Sequence, residues 1–148
     1  MNFAFTADGD RLVVRVDTFT GARFARTVLV PDDAISVTIV RTETSLRPNV
    51  EPRSIVRTVT DARAITSLVK LVDGLPGAMT TEIVTSCPAS LEERSYRLTF
   101  ATPNSAYVAW LPTTMCWPSV SLRHNGTKAG PPLDPGRHFT KVVDRYLS

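Results

Sequence analysis

Cys87 and Cys116 are the only two cysteines of the chain, and each stands in a proline-marked turn, Ser86-Cys87-Pro88 and Met115-Cys116-Trp117-Pro118. The segment between them alternates like a β-hairpin, so a disulfide joining them would clamp that hairpin. In the loop-closure picture a bridge spanning about 30 residues adds roughly 3.5 kcal/mol. Two buried free thiols, or one reactive thiol, are the alternatives that the spacing leaves open. No Cys-x-x-Cys pair occurs, which speaks against thioredoxin-type exchange. A structural zinc needs four ligands, and two cysteines and two histidines in this order do not match a zinc finger. Neither a metal site nor a cofactor is expected.

A Cys–His nucleophilic pair would take His124 or His138 as its base. His124 sits beside a tight turn, where polar side chains are ordinarily solvated, and His138 opens a helix, where the exposed side is the ordinary place. Paired carboxylates occur at Asp32-Asp33 and Glu92-Glu93 in turn or loop contexts. Glycosidase chemistry needs two carboxyl groups converging across a cleft, which adjacency in sequence does not supply. The chain has no Gly-x-Ser-x-Gly elbow, no His-Glu-x-x-His, no P-loop and no dinucleotide fingerprint. Tyr96, Tyr107, Trp110 and Trp117 form an aromatic group that is either core or a ligand platform. Alternation puts Tyr96 and Tyr107 on the buried face and Trp110 on the other, and Trp117 is placed to cover the disulfide. Trp110, Trp117 and His124 are the binding candidates. Asn125-Gly126-Thr127 fits the N-glycosylation pattern, but Asn-Gly reads first as a tight turn.

The elements that must position these residues are mostly strands. Phe3 and Phe5 alternate with Ala4, Asp8-Gly9 turns the chain, and Leu12, Val14 and Val16 alternate with Arg11, Val13, Arg15 and Asp17. Phe24 to Val30 reads as a third strand, ended by Pro31-Asp32-Asp33. Ile35, Val37 and Ile39 face one way in a fourth. Ser45 to Arg53 carries Pro48 and Pro52 without a hydrophobic period and reads as a loop or linker. The expectation is one domain over 1–148, with possible subregions 1–44 (a β-meander) and 53–148 (helix, hairpins, helix). Ile55 to Val59 is a short strand. Thr60 or Asp61 then caps a helix whose stripe is Ile65, Leu68, Val69, Val72 and Leu75, stopped by Gly74 and Pro76-Gly77. Thr80 to Thr85 follows. Tyr96, Leu98 and Phe100 make one strand face, as do Tyr107, Ala109 and Leu111. Val120 and Leu122 form a last strand before the Asn-Gly turn. After the loop Gly130–Gly136, a helix near Arg137–Leu147 shows Phe139, Val142, Val143, Tyr146 and Leu147 on one side. The fold class is α+β, a largely antiparallel sheet packed with two amphipathic helices.

With 148 residues the chain buries roughly 70% of its unfolded surface, enough for a core without metals. Hydrophobic residues at 43% and charged residues at 21% exclude global disorder. No apolar run reaches the roughly 20 residues of a transmembrane segment. The stretch from Met1 to Thr6 has no basic n-region or apolar h-region and does not read as a signal peptide. The net charge is +3, and all of the 17 basic residues except Lys70, Lys128 and Lys141 are arginine. Arginine suits phosphate, but acidic residues are interleaved throughout, so nucleic acid is not the expected partner.

From Val59 to Leu147 the layout resembles small two-cysteine domains of unknown function from exported proteins of high-GC bacteria. The resemblance rests on Thr58-Val59-Thr60-Asp61 leading into Ile65-x-x-Leu68-Val69-x-Leu71-Val72, then Ser86-Cys87-Pro88, Tyr96-Arg97-Leu98-Thr99-Phe100, Cys116 before a strand, and a closing amphipathic helix. It implies export but transfers no catalytic residues, and the export signal or lipid-anchor cysteine of such proteins has no counterpart here. The function expected is a non-enzymatic binding or interaction module, secreted or surface-associated, for an unknown protein or small ligand; a cytoplasmic location is the alternative. Two other functions stay open. One is a small hydrolase-type enzyme using Cys116 or a histidine. The other is an inhibitor or immunity-like protein that presents Gly130–Gly136 or the clamp turn to its partner.

Overall fold

The structure is a computed structural model that describes residues 2–8, 11–17, 30–45, 47, 49–78, 92–112 and 118–148. Among the described residues there are eight strands and two α-helices. In order they are β1 (Asn2–Asp8), β2 (Arg11–Asp17), β3 (Ser36–Ser45), β4 (Arg53–Val59), α1 (Ala62–Asp73), β5 (Glu92–Ala101), β6 (Ala106–Leu111), β7 (Ser121–His124), β8 (Thr127–Lys128) and α2 (Phe139–Asp144). β1 and β2 pair antiparallel from Asn2↔Asp17 to Asp8↔Arg11, the spacing that a turn after Asp8 requires. The other six form one antiparallel sheet in the order β4-β3-β5-β6-β7-β8. The chain is therefore mostly β, with an antiparallel sheet as the sequence pattern leads one to expect and less helix than the pattern implied. Phe24 to Leu29 of the expected third strand and the segment Thr80 to Thr85 lie outside the described residues; Val30, which ends that stretch, is buried in the core and its N–H donates to the Asp73 carboxylate at 3.1 Å.

Period-two alternation builds the core. Val37 and Ile39 from β3, Tyr96, Leu98 and Phe100 from β5, Ala109 and Leu111 from β6 and Leu122 from β7 are all buried on one face of the sheet. They join a single hydrophobic cluster with Ile65, Leu68, Val69 and Val72 of α1 and Phe139 and Val143 of α2. α1 starts where the cap residue dictates, the Asp61 carboxylate accepting from Ala64 N–H at 2.9 Å. Its last turn is closed by Gly74 N–H donating to Lys70 C=O at 2.8 Å. α2 is shorter than the expected 137–147: it spans six residues, and successive N–H groups of Arg145, Tyr146 and Leu147 bond three residues back instead, a 3₁₀-type tightening.

Four expectations need correction. Ser45 to Arg53 is no divider between subregions 1–44 and 53–148, because β3 and β4 on either side of it pair over Val37↔Val59 to Glu43↔Arg53. β3 also pairs with β5 along its whole length, so it is an interior strand that ties β4 to the rest of the sheet. Glu92-Glu93 opens β5 and does not lie in a loop. Ile35 does not join Val37 and Ile39 inside: it precedes the first sheet residue at the rim and is 60% exposed. The loop Gly130–Gly136 is not simply presented to solvent. Leu133 exchanges two backbone hydrogen bonds with Val120 and lies in the core, and Pro135 is buried. By contrast the Asn-Gly turn between β7 and β8 behaves as its residues require, with φ of 47° at Asn125 and 83° at Gly126.

Candidate functional site

Each strand that buries one row of side chains must show the other. On β5 the outward row is Ser95, Arg97 and Thr99; on β6 it is Val108 and Trp110; on β7 it is Ser121 and Arg123. The register places Arg97 beside Trp110 and Trp110 beside Ser121. The neighbouring row runs Thr99, Val108, Arg123, Lys128. Arg97, Thr99, Val108, Trp110, Arg123 and Gly126 line a shallow depression of about 340 Å³. Trp110 stands in it with 40% of its surface exposed. Strand spacing and rise put Arg97 and Arg123 about 12 Å apart at Cα, on opposite flanks of the indole. Neither arginine has a hydrogen-bond or ion-pair partner among the described residues, and no carboxylate enters these two rows. Arg123 lies directly opposite Lys128. Like charges in that position work against the sheet, and an anion seated between them would reverse the sign of that interaction.

The covered face carries a different polar group. The Asp144 carboxylate on α2 accepts from Arg41 Nη1 at 3.0 Å and from the Tyr96 hydroxyl at 3.1 and 3.2 Å. Arg41 Nη2 also meets Glu43 Oε1 at 3.3 Å, and Arg94 Nε meets the same oxygen at 3.2 Å. Arg41 Nε is buried without a partner among the described residues. The hydrogen bond to Asp144 holds the Arg41 guanidinium above its ordinary value against the opposing effect of burial. Burial raises the Tyr96 phenol, and the adjacent Asp144 charge raises it further. This is a lock between α2 and the sheet, with its charges satisfied by one another. A second hollow of about 240 Å³ lies at the β3–β4 connection and is lined by Glu43, Arg47, Val50, Arg53, Glu93 and Arg94 among others. There, acidic and basic groups alternate and leave no single sign of charge to select a ligand.

The structure separates the candidates that the sequence suggested. Trp110 is on the open face, as alternation required. His124 is on the opposite face, half-buried, its ring stacked on Tyr107 with centroids 4.3 Å apart and planes 13° from parallel. It is therefore packed and not simply solvated beside the turn, and it cannot share a site with Trp110. Tyr96 and Tyr107 share the covered face, but only Tyr96 is fully buried. Trp117 and the pair Cys87 and Cys116 lie outside the described residues. His138 is exposed at the start of α2. Among the described residues neither histidine side chain hydrogen-bonds to a neighbour, and no group of three or more His, Cys, Asp or Glu converges on a metal-sized site. Arg97 and Arg123 are the residues that sequence reasoning passed over. An arginine at alternate strand positions is the signature of any solvated face, and only the β5–β6–β7 register brings these two around the indole.

No family model, no curated protein and no solved structure matches the chain. Among the described residues no helix is long and apolar enough to cross a membrane.

Proposed function

We propose that this protein is a non-enzymatic recognition module, an α+β domain whose open sheet face binds a ligand carrying an anionic group beside a flat apolar one. The exposed Trp110 between two arginines that have no side-chain partner among the described residues carries this reading. Indole offers a stacking surface. A guanidinium supplies paired donors in the geometry of a carboxylate or phosphate. The module is further proposed to act outside the cell, secreted or at the cell surface, with Cys87 and Cys116 joined as its clamp. That part rests on the proline-marked turns of the two cysteines and on the resemblance to exported two-cysteine domains. Intact mass with and without reductant tests the clamp.

The ligand site is tested by indole fluorescence in a Trp117→Phe background with phenyl phosphate and benzoate as probes. Saturable quenching is expected, weakened at least about tenfold when Arg97 and Arg123 are both replaced by alanine, the usual scale for charge-assisted contacts. Absence of saturable quenching at millimolar probe, or quenching unchanged by the arginine replacements, overturns it.

A further inference from the structure

The two ends of the six-stranded sheet are finished differently. At one end β8 has two residues and is tied to β7 by the Asn-Gly turn, a blunted edge. At the other end β4 runs for seven residues and, among the described residues, pairs on one side only. Its register with β3 is continuous over all seven positions, so no bulge twists it away. It contains neither proline nor glycine. Ile55 is 39% and Val56 62% exposed, and six of the seven residues are exposed. Among the described residues no backbone hydrogen bond reaches β4 outside its pairing with β3. Every second residue of such a strand aims its N–H and C=O at solvent.

The side chains state what could pair there. Arg53, Ile55 and Arg57 alternate on one face, with the two arginines about 13 Å apart. The strand holds no acidic residue. Glu43, opposite Arg53 in register, is already engaged by Arg41 and Arg94. Arg57 donates to the Ser148 carbonyl. A second copy of the chain pairing edge to edge would bring four guanidinium groups to the same face of one seam, since residues directly opposite in a sheet point the same way. An extended acidic peptide has the complementary pattern.

We propose that β4 is a strand-addition site for an extended acidic peptide, which extends the sheet by a seventh strand. Its carboxylates alternate opposite Arg53 and Arg57, with an aliphatic residue beside Ile55. Main-chain hydrogen bonds supply the affinity and the alternating side chains the selectivity. The site is separate from the Trp110 depression and does not depend on it.

The probe is a blocked seven-residue peptide, Val-Thr-Glu-Thr-Val-Thr-Glu, whose glutamates and valines alternate along one face of the extended strand, added to the full chain. Saturable binding is expected, with exchange of the outward-facing β4 amides slowed about tenfold or more. The same peptide N-methylated along one edge keeps its charge but cannot pair, and is expected not to bind. The variant Arg53→Glu/Arg57→Glu, checked for an unchanged fold by circular dichroism, is expected to bind it at least about tenfold more weakly and to accept the lysine–valine counterpart instead. Equal binding of the N-methylated peptide, binding without protection of β4, or no binding at millimolar peptide overturns the proposal. A dimer in sedimentation equilibrium with β4 amides already protected assigns the edge to a second copy and overturns it as well.

Discussion

The two faces of the six-stranded sheet come from the same strands, residue by residue, and differ in everything that follows. Along β5, Tyr96, Leu98 and Phe100 are at most 2% exposed, while Arg97, between two of them, reaches solvent. On the covered face the Asp144 carboxylate accepts from both Arg41 and Tyr96. Among the described residues the open face leaves Arg97 and Arg123 unanswered, and it sets Arg123 against Lys128. A sheet needs the first arrangement to fold. It gains nothing in stability from the second, so the open face is where selection other than stability would be written.

That difference sets an order of expected effects. The largest belongs to Phe100, fully buried at the centre of the covered face. Phe100→Ala is expected to cost about 3–5 kcal/mol through lost burial and the cavity left behind, whereas Thr99→Ala, one residue along on the other face, stays within about 1 kcal/mol. Urea unfolding of both variants measures this. Comparable losses at the two positions would mean that the open face is also covered in solution.

The lock on α2 comes next. Asp144→Ala removes the acceptor for both Arg41 and Tyr96 and leaves a partly buried guanidinium with Glu43 alone. A loss of about 1–3 kcal/mol is expected, the range for hydrogen bonds to a charged group that leave a partner unsatisfied. The Tyr96 phenol is raised in the folded protein. Its contribution to stability is therefore complete below the ordinary phenol value of about 10 and is lost as pH climbs through the higher folded value. Denaturation midpoints taken across that alkaline range are expected to fall in the parent protein and to fall less in Tyr96→Phe. An identical alkaline slope in the two proteins would remove Tyr96 from the lock.

How much of this was legible in the chain depends on how local the cause is. The faces of β5 and β6 followed from strict alternation over Tyr96 to Phe100 and Tyr107 to Leu111. The start of α1 followed from Asp61, and the β7–β8 turn from Asn125-Gly126, because each is decided within a few residues. The partner of β3 is not local. Pro48 and Pro52 made the connection after it look like a linker, and nothing between Ser36 and Ser45 announces that its second neighbour begins at Glu92. The candidate site failed to show for the same reason. Trp110 was visible as an outward aromatic, but Arg97 and Arg123 become its flanks only when three strands align, and His124 leaves the site because the pleat sends it the other way, onto Tyr107.

The smallest effect is the most discriminating, because its sign decides it. Arg123 is exposed, has no anionic partner among the described residues, and faces Lys128 across the β7–β8 pair. Threonine at this position removes the like-charge neighbour and suits a strand better. Arg123→Thr is therefore expected to raise stability by a few tenths of a kcal/mol in low salt, and the gain should shrink as added salt screens the pair. Phenyl phosphate should raise the melting temperature of the parent protein and do so less in the variant, since the bound anion relieves the repulsion that the substitution has already removed. A destabilised variant would make Arg123 part of the sheet's support. The open face would then lose its claim to be shaped for a ligand, even with Trp110 still exposed.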